Sequence, residues 1–349
     1  MSVRMSRRPL IIPVFIPHQG CPHKCIYCHQ ETITDQSKTE VKAPHIRERL
    51  DKAVNSPRFA LSSEREIAFY GGSFTNLGIN RMTELLEAVK PYLDRGLFGS
   101  IRVSTRPDGI DEERLEVMRN FGVSTVELGV QSMDDEVLRL ARRGHTAADT
   151  VASVDILKRH GFKVGVQLMP GLPGDSEEKF LMTINKVIGL QPDMARLYPA
   201  VVIHGTELAK WYDHKRYRPL TLEDAVRICR ESCSLLESRG ITVIRIGLMS
   251  SPSLLKDGQI VAGPWHGAFG FLVRSDMHQK SIEPFLPKSG KASKIGIRAP
   301  SREIPLIRGY KNQGLQLIEK KTGSKIVYVK PDDSVPVGRV NVDLISANY

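Results

Sequence analysis

Short apolar, β-branched runs alternate with helix-period stretches through residues 9–250, and that alternation restricts the fold more than any other feature. The runs fall at 9–16, 66–70, 100–105, 124–130, 162–169, 194–203 and 241–248. Between them, apolar residues recur at helical spacing over 44–56, 80–94, 111–120, 146–160, 176–190 and 221–239. Asp111-Glu-Glu opens one helix, and Gly122, Gly161 and Gly240 follow the ends of others. Repeated strand–helix units call for a parallel sheet with right-handed crossovers. The number of units suits an α/β fold built as a full or partial parallel β/α (TIM-like) barrel over residues 1–250. Residues 251–349 break the pattern and read as a small C-terminal α+β unit, with strands near 294–298, 325–330 and 338–344 and a helix near 312–321.

Unusual loops sit where the strands end. Cys21-Pro-His-Lys-Cys25-Ile-Tyr-Cys28 follows the first strand and Tyr70-Gly-Gly-Ser-Phe74 the second. Ser104-Thr-Arg-Pro-Asp108, Gly129-Val-Gln-Ser132, Gln167-Leu-Met-Pro-Gly-Leu-Pro-Gly174 and Tyr198-Pro-Ala close the next four. Any one of these alone is an ordinary tight turn. In a β/α barrel, however, the carboxyl ends of the strands share one rim, where chemistry is done.

Two metal chemistries fit the cysteine loop. With His18, His23 or His29, the three thiolates can make a closed structural zinc site. A second zinc knuckle is missing, since Cys229 and Cys233 have the i, i+4 spacing of helix-packing residues. Alternatively, three thiolates hold three corners of a 4Fe-4S cluster and leave the fourth iron without a protein ligand. Such an iron can chelate the amine and carboxylate of S-adenosylmethionine, and one electron delivered to the sulfonium releases a 5′-deoxyadenosyl radical. Tyr27, just before the last cysteine, can pack on the adenine or serve only as loop packing.

The loop resembles that of the radical S-adenosylmethionine superfamily, with Cys21, Cys25 and Cys28 at its cluster-ligand positions. Glu127-Leu-Gly-Val-Gln-Ser132, Arg143-Gly-His-Thr146, Met169-Pro-Gly-Leu-Pro-Gly174, Tyr198-Pro-Ala-Val-Val-Ile-His-Gly-Thr206 and Thr105-Arg-Pro-Asp108 narrow the resemblance to the radical domain of the Elongator catalytic subunit. The resemblance implies that Gly71, Gly72 and Ser73 meet the methionyl amine of the cofactor, and that Ser104, Arg106 and Gln131 line its carboxylate and ribose. It places Gln167 and the Met169–Gly174 loop at the adenine, and it implies tRNA or another RNA as substrate and a ferredoxin or flavodoxin as electron donor. Residues 251–349 are too few for the acetyltransferase domain of that subunit, so its acetyl-coenzyme A chemistry is not expected. A small-molecule substrate such as a porphyrin, or cofactor binding without turnover, is the alternative. Glu127 is a charge inside an apolar strand, read either as a functional acid or as a core carboxylate paired with Arg102 or Arg196.

Charge adds a partner. The net charge is +11, and residues 271–349 hold 14 Lys and Arg against 7 Asp and Glu, which points to a polyanion such as RNA. Residues 307–326 resemble a KH RNA-binding core near 294–345, with Gly309-Tyr310-Lys311-Asn312 at its Gly-x-x-Gly loop and Lys288–Lys294 as a flexible linker. There is no apolar window long enough to cross a membrane, the arginine-led N-terminus makes a poor signal peptide, and five cysteines are no disulfide framework. A cytoplasmic protein is expected.

Overall fold

The computed structural model describes residues 9–36 and 41–345, so the arginines that precede Pro9 lie outside the described residues. Seven strands build one wholly parallel sheet: β1 (Leu10–Phe15), β2 (Arg65–Tyr70), β3 (Ser100–Thr105), β4 (Val123–Gln131), β5 (Lys163–Leu168), β6 (Met194–Leu197) and, beyond a two-residue β7 (Val202–Ile203), β8 (Thr242–Ile246). Their order in the sheet follows their order in the chain. The sheet curls into a half-barrel that stops short of closure, with β1 and β8 as its edges. The helices Ala43–Val54, Ile79–Asp94, Glu112–Asn120, Ala147–Arg159, Glu177–Leu190 and Leu222–Ser238 link successive strands. Asp111, Thr146 and Ser176 cap three of them by accepting from backbone N–H groups of the first turn.

Alternation along each strand divides the side chains between the two faces. On β3, Ile101 and Val103 are fully buried, whereas Ser104, between Val103 and Thr105, lines the interior of the half-barrel. Ile67, Phe69, Val126, Leu128 and Val164 are likewise inaccessible, each contributing about 1.5–3 kcal/mol by burial. The interior carries the polar set instead: Tyr70, Ser104, Glu127, Gln167, Arg196 and Arg245.

Two elements depart from the sequence reading. The run 194–203 is not one strand. It stops at Leu197, and after Pro199 the pair Val202–Ile203 joins β9 (Ile260–Ala262) in a separate antiparallel ribbon. Proline has no N–H to give the ladder, so the sheet releases the chain there. A helix that the sequence reading does not place, Phe269–Ile282, begins within the glycine-rich run Gly263–Gly270. Gly270 weakens the helical signal at that point.

Leu222–Leu235 and His266–Tyr349 form a second compact unit. There, β10 (Lys294–Ala299), a short helix (Ile304–Arg308), the turn Gly309–Asn312, a longer helix (Gln313–Thr322) and β11 (Lys325–Pro331) follow one another. β10 lies between β11, which is parallel to it, and an antiparallel β12 (Asn341–Ile345). Ile295, Ile297, Ile307 and Ile318 fill the core beneath. The run 288–294 is tied down, with Gly290 N donating to Thr322 O and Ser324 Oγ to Ala292 O.

Candidate functional site

The strand ends surround a cavity of about 430 Å³. Cys21, Cys25, Cys28 and Tyr27 line it from the loop after β1, Gly71 and Gly72 from the end of β2, and Ser104 and Arg106 from β3. Gln131, at the end of β4, and Gln167, on β5, complete the set. The topology thus brings residues 146 positions apart in the chain to one wall. Ser73 stands behind it: its side chain is inaccessible, its N–H donates to Gln19 O and its hydroxyl bonds Thr105.

Close backbone contact seats the cysteine loop. A Cβ on Gly72 would lie 2.3 Å from Gln19 O and 2.5 Å from Ile16 O, and one on Gly20 would lie 2.2 Å from Ser73 O. Only paired glycines let the two loops approach this far. Two of the three histidines named as zinc candidates are engaged locally: His18 Nε2 accepts from Gln30 N, and His29 Nδ1 accepts from Thr32 N to cap the helix Gln30–Thr34, whereas His23 is exposed at the cavity. Among the described residues, no three His, Cys, Asp or Glu side chains converge as they would on a single ion. A cubane asks for something different, since its irons occupy separate corners and its thiolates stand farther apart.

The electrostatics of the loop suit a cationic guest. Burial, and then the neighbouring Cys25 and Cys21, push the Cys28 thiol up to about 12, and burial raises Cys21. Thiols held this way give up their protons readily only to a metal. Arg143 Nη1 donates to Cys25 Sγ at 3.1 Å, and Nη2 donates to Gly129 O. Burial works against its charge, but Tyr27 and Cys25 beside it keep the guanidinium firmly protonated. Arg143 Nε and the Tyr27 hydroxyl are buried without a hydrogen-bond partner in the described residues. Orphaned polar groups on a cavity wall fit a polar guest. The residues present therefore fit a three-thiolate cluster with an anionic ligand beside it.

Arg106, expected at the cofactor carboxylate, already makes a two-pronged pair with Asp108, at 2.9 Å for each hydrogen bond. Arg143 is the cation that faces the cysteines. In the sequence it is one residue of the Arg143-Gly-His-Thr146 stretch with no role attached, because nothing in a linear reading joins position 143 to position 25. Gln131 carries a left-handed backbone, φ 67, at an irregularity in the β4–β5 ladder. A non-glycine residue held that way at a strand end marks a position aimed by its surroundings. Its Oε1 accepts from Gln167 Nε2 at 3.3 Å.

Below the cysteines lies a buried ion network. Glu127 accepts from Arg102 Nη1 at 2.9 Å, from Arg196 Nη2 at 2.8 Å and from Tyr70 Oη at 3.0 Å. Both arginines named from the sequence are thus its partners. Burial alone would raise this carboxyl, but Arg196 and Arg102 together outweigh it and hold the group below its ordinary value. Gly165 on β5 leaves room for it, since a Cβ there would lie 3.0 Å from Glu127 Cγ.

A half-barrel of parallel strands with three cysteines on its rim defines a class, and the sequence agrees. The family model of the Radical SAM superfamily matches residues 15–187, and that of the Radical_SAM C-terminal domain matches residues 192–279. The chain belongs to the radical SAM superfamily. It is homologous to the Elongator catalytic subunit: human Elongator complex protein 3 is 31% identical over 277 residues, covering 67% of this chain and 50% of its own. A tRNA uridine(34) acetyltransferase of Dehalococcoides mccartyi is 30% identical over 230 residues, covering 57% of this chain and 50% of its own. The solved structure of Methanocaldococcus infernus Elp3, lacking its N-terminal residues, superposes with a TM-score of 0.61 at 24% identity, over 78% of this chain and 63% of that one. The chain spans about half the length of the curated relatives it matches.

Proposed function

We propose that this radical SAM enzyme acts on RNA, most simply a tRNA, with Cys21, Cys25 and Cys28 as the ligands of a 4Fe-4S cluster. The observation that carries the reading is the convergence of the three cysteines, Gly71, Gly72, Arg143, Gln131 and Gln167 on one cavity wall. When bound, the cluster and S-adenosylmethionine supply a 5′-deoxyadenosyl radical able to take hydrogen from an unactivated carbon. The chain's own residues bind and orient. Arg143 faces the cofactor carboxylate while steadying the Cys25 sulfur. Gly71 and Gly72 let the methionyl end approach the backbone. Gln131 and Gln167, hydrogen-bonded to each other, present amides to the ribose and adenine. Tyr27 closes the cysteine side against water.

RNA as the substrate is supported by two features. Two curated relatives are tRNA uridine(34) acetyltransferase and Elongator complex protein 3, the first named for a tRNA target. The second unit also has the strand–helix–turn–helix–strand order of a KH core, with Lys311 and Asn312 in left-handed backbone within the turn. Among the described residues no helix is long and apolar enough to cross a membrane. A ferredoxin or flavodoxin is the electron donor of this reading.

The test is anaerobic reconstitution followed by assay of 5′-deoxyadenosine formation with and without bulk tRNA. About four irons per chain and tRNA-stimulated cleavage are expected. One zinc per chain, or cleavage indifferent to every RNA tried, counts against it.

A further inference from the structure

The cavity wall carries more positive charge than its own carboxylate can balance. Glu127 is the one carboxylate lining it among the described residues, and Arg102 and Arg196 already hold it. Arg106 is matched by Asp108 outside the wall, and Arg143 faces Cys25. Lys24, on the cysteine loop, and Arg245 are left over. Arg245 lies on the edge strand β8, lines the cavity, is exposed, and its side chain makes no hydrogen bond or ion pair among the described residues.

Its position is set by register. Gln167 on β5 pairs with Arg196 on β6, and Arg196 pairs with Arg245 on β8. These three form one row across the sheet. It begins beside Gln131, which Gln167 touches, and ends at the open edge of the half-barrel. Two arginines on adjacent strands repel each other. Glu127 answers Arg196, and nothing among the described residues answers Arg245. Leu248 and Met249 continue the same wall just past the strand, and Met249 is 37% exposed. A lone guanidinium beside an apolar surface matches one nucleotide, which offers a phosphate and a flat base.

We infer that Arg245 is the substrate-anchoring residue, pairing with a phosphodiester of the RNA so that one nucleotide enters through the gap between β8 and β1 with its base against Leu248 and Met249. This rests on the RNA reading above. The anchor is an arginine for good reason: a planar fork grips two phosphate oxygens where an ammonium grips one.

The test uses the full chain, reconstituted anaerobically, with bulk tRNA as the probe. Arg245→Gln and Arg245→Lys are compared with the parent by the tRNA concentration that half-saturates stimulation of cofactor cleavage, and by the salt dependence of tRNA binding. Iron content and melting temperature confirm that each variant folds. Arg245→Gln is expected to raise the half-saturating concentration about tenfold with maximal stimulated rate little changed. The slope of log affinity against log salt should fall by about 0.7. Arg245→Lys should restore the slope but only part of the affinity. If tRNA stimulates the parent and Arg245→Gln responds at the same concentration with the same salt slope, the anchor is wrong and the RNA reading stands. If the parent neither binds tRNA in a salt-dependent way nor responds to it, the RNA reading falls and Arg245 with it.

Discussion

Arg143 donates to the Cys25 sulfur at 3.1 Å across 118 positions of sequence, and this one hydrogen bond ties the cysteine loop to the turn between the helices Asp135–Leu140 and Ala147–Arg159. The same guanidinium reaches Gly129 O, so it is fixed by strand and loop together. An arginine buried to this degree costs several kcal/mol unless it is answered. Arg143→Lys is therefore expected to weaken S-adenosylmethionine binding about tenfold or more, because an ammonium cannot serve the sulfur, the carbonyl and a carboxylate in one plane. Equilibrium dialysis of the cofactor against the reconstituted variant checks it; unchanged affinity would remove Arg143 from the site.

Cys25→Ala should abolish the brown cluster chromophore while leaving the half-barrel folded. Cys25 is only 8% exposed, but it packs at the rim rather than in the core of the sheet. Losing one sulfur there is expected to cost about 1 kcal/mol in the metal-free protein. Iron analysis and urea denaturation of the same preparation separate the two effects. A variant that keeps its chromophore would displace Cys25 from the ligand set.

Glu127→Gln should destabilise the fold by about 3 kcal/mol, since it leaves Arg196 without a carboxylate in a buried site and Arg102 with Glu66 alone. The direction of its pKa adds a second readout. Glu127 is held below its ordinary value of 4.5, so its contribution is complete above that pH and is lost as pH falls toward the depressed folded value. The variant should therefore show a flatter acid limb below about pH 4.5 than the parent. Urea midpoints across that range measure it, and identical slopes would show that the network carries no linked proton.

His145 works over a higher range. Its Nε2 lies 3.2 Å from Val130 O, and burial, then Arg143 and Arg106, lower its pKa from 6.5 to about 4. A histidine lowered on folding stabilises above its unfolded value and loses that contribution as pH drops through the folded one. Stability should thus decline between pH 6.5 and 4 in the parent and less so in His145→Asn. Thermal melts of the metal-free protein at successive pH values test this; parallel curves would refute it.

Gly72→Ala strikes the seat of the cysteine loop. Its added methyl would fall 2.3 Å from Gln19 O and 2.5 Å from Ile16 O, both backbone atoms that cannot swing aside. A cost of about 1–3 kcal/mol follows from overpacking, and the displaced loop should bind fewer than the full complement of irons. Iron content equal to the parent would show that the two loops can separate without harm.

The sequence by itself determined the parallel β/α architecture, full or partial, and the grouping of three thiolates on one loop. Both are written locally: alternating runs set each strand and helix, and three thiolates within eight residues need no distant partner to make a metal-binding loop. The strand bounds at β3 are legible to the residue, whereas the run 194–203 reads as one strand because Pro199 breaks a ladder only when a neighbouring strand is there to be lost. Tertiary structure decided which charges meet, and with Glu127 it settled the paired reading that the sequence had left beside that of a functional acid. Arg143 meets Cys25, Glu127 gathers two arginines from β3 and β6, and Arg245 is left unanswered among the described residues at the open edge. Coulomb energy depends on distance and burial, and neither exists until crossover connections bring the strand ends around one cavity.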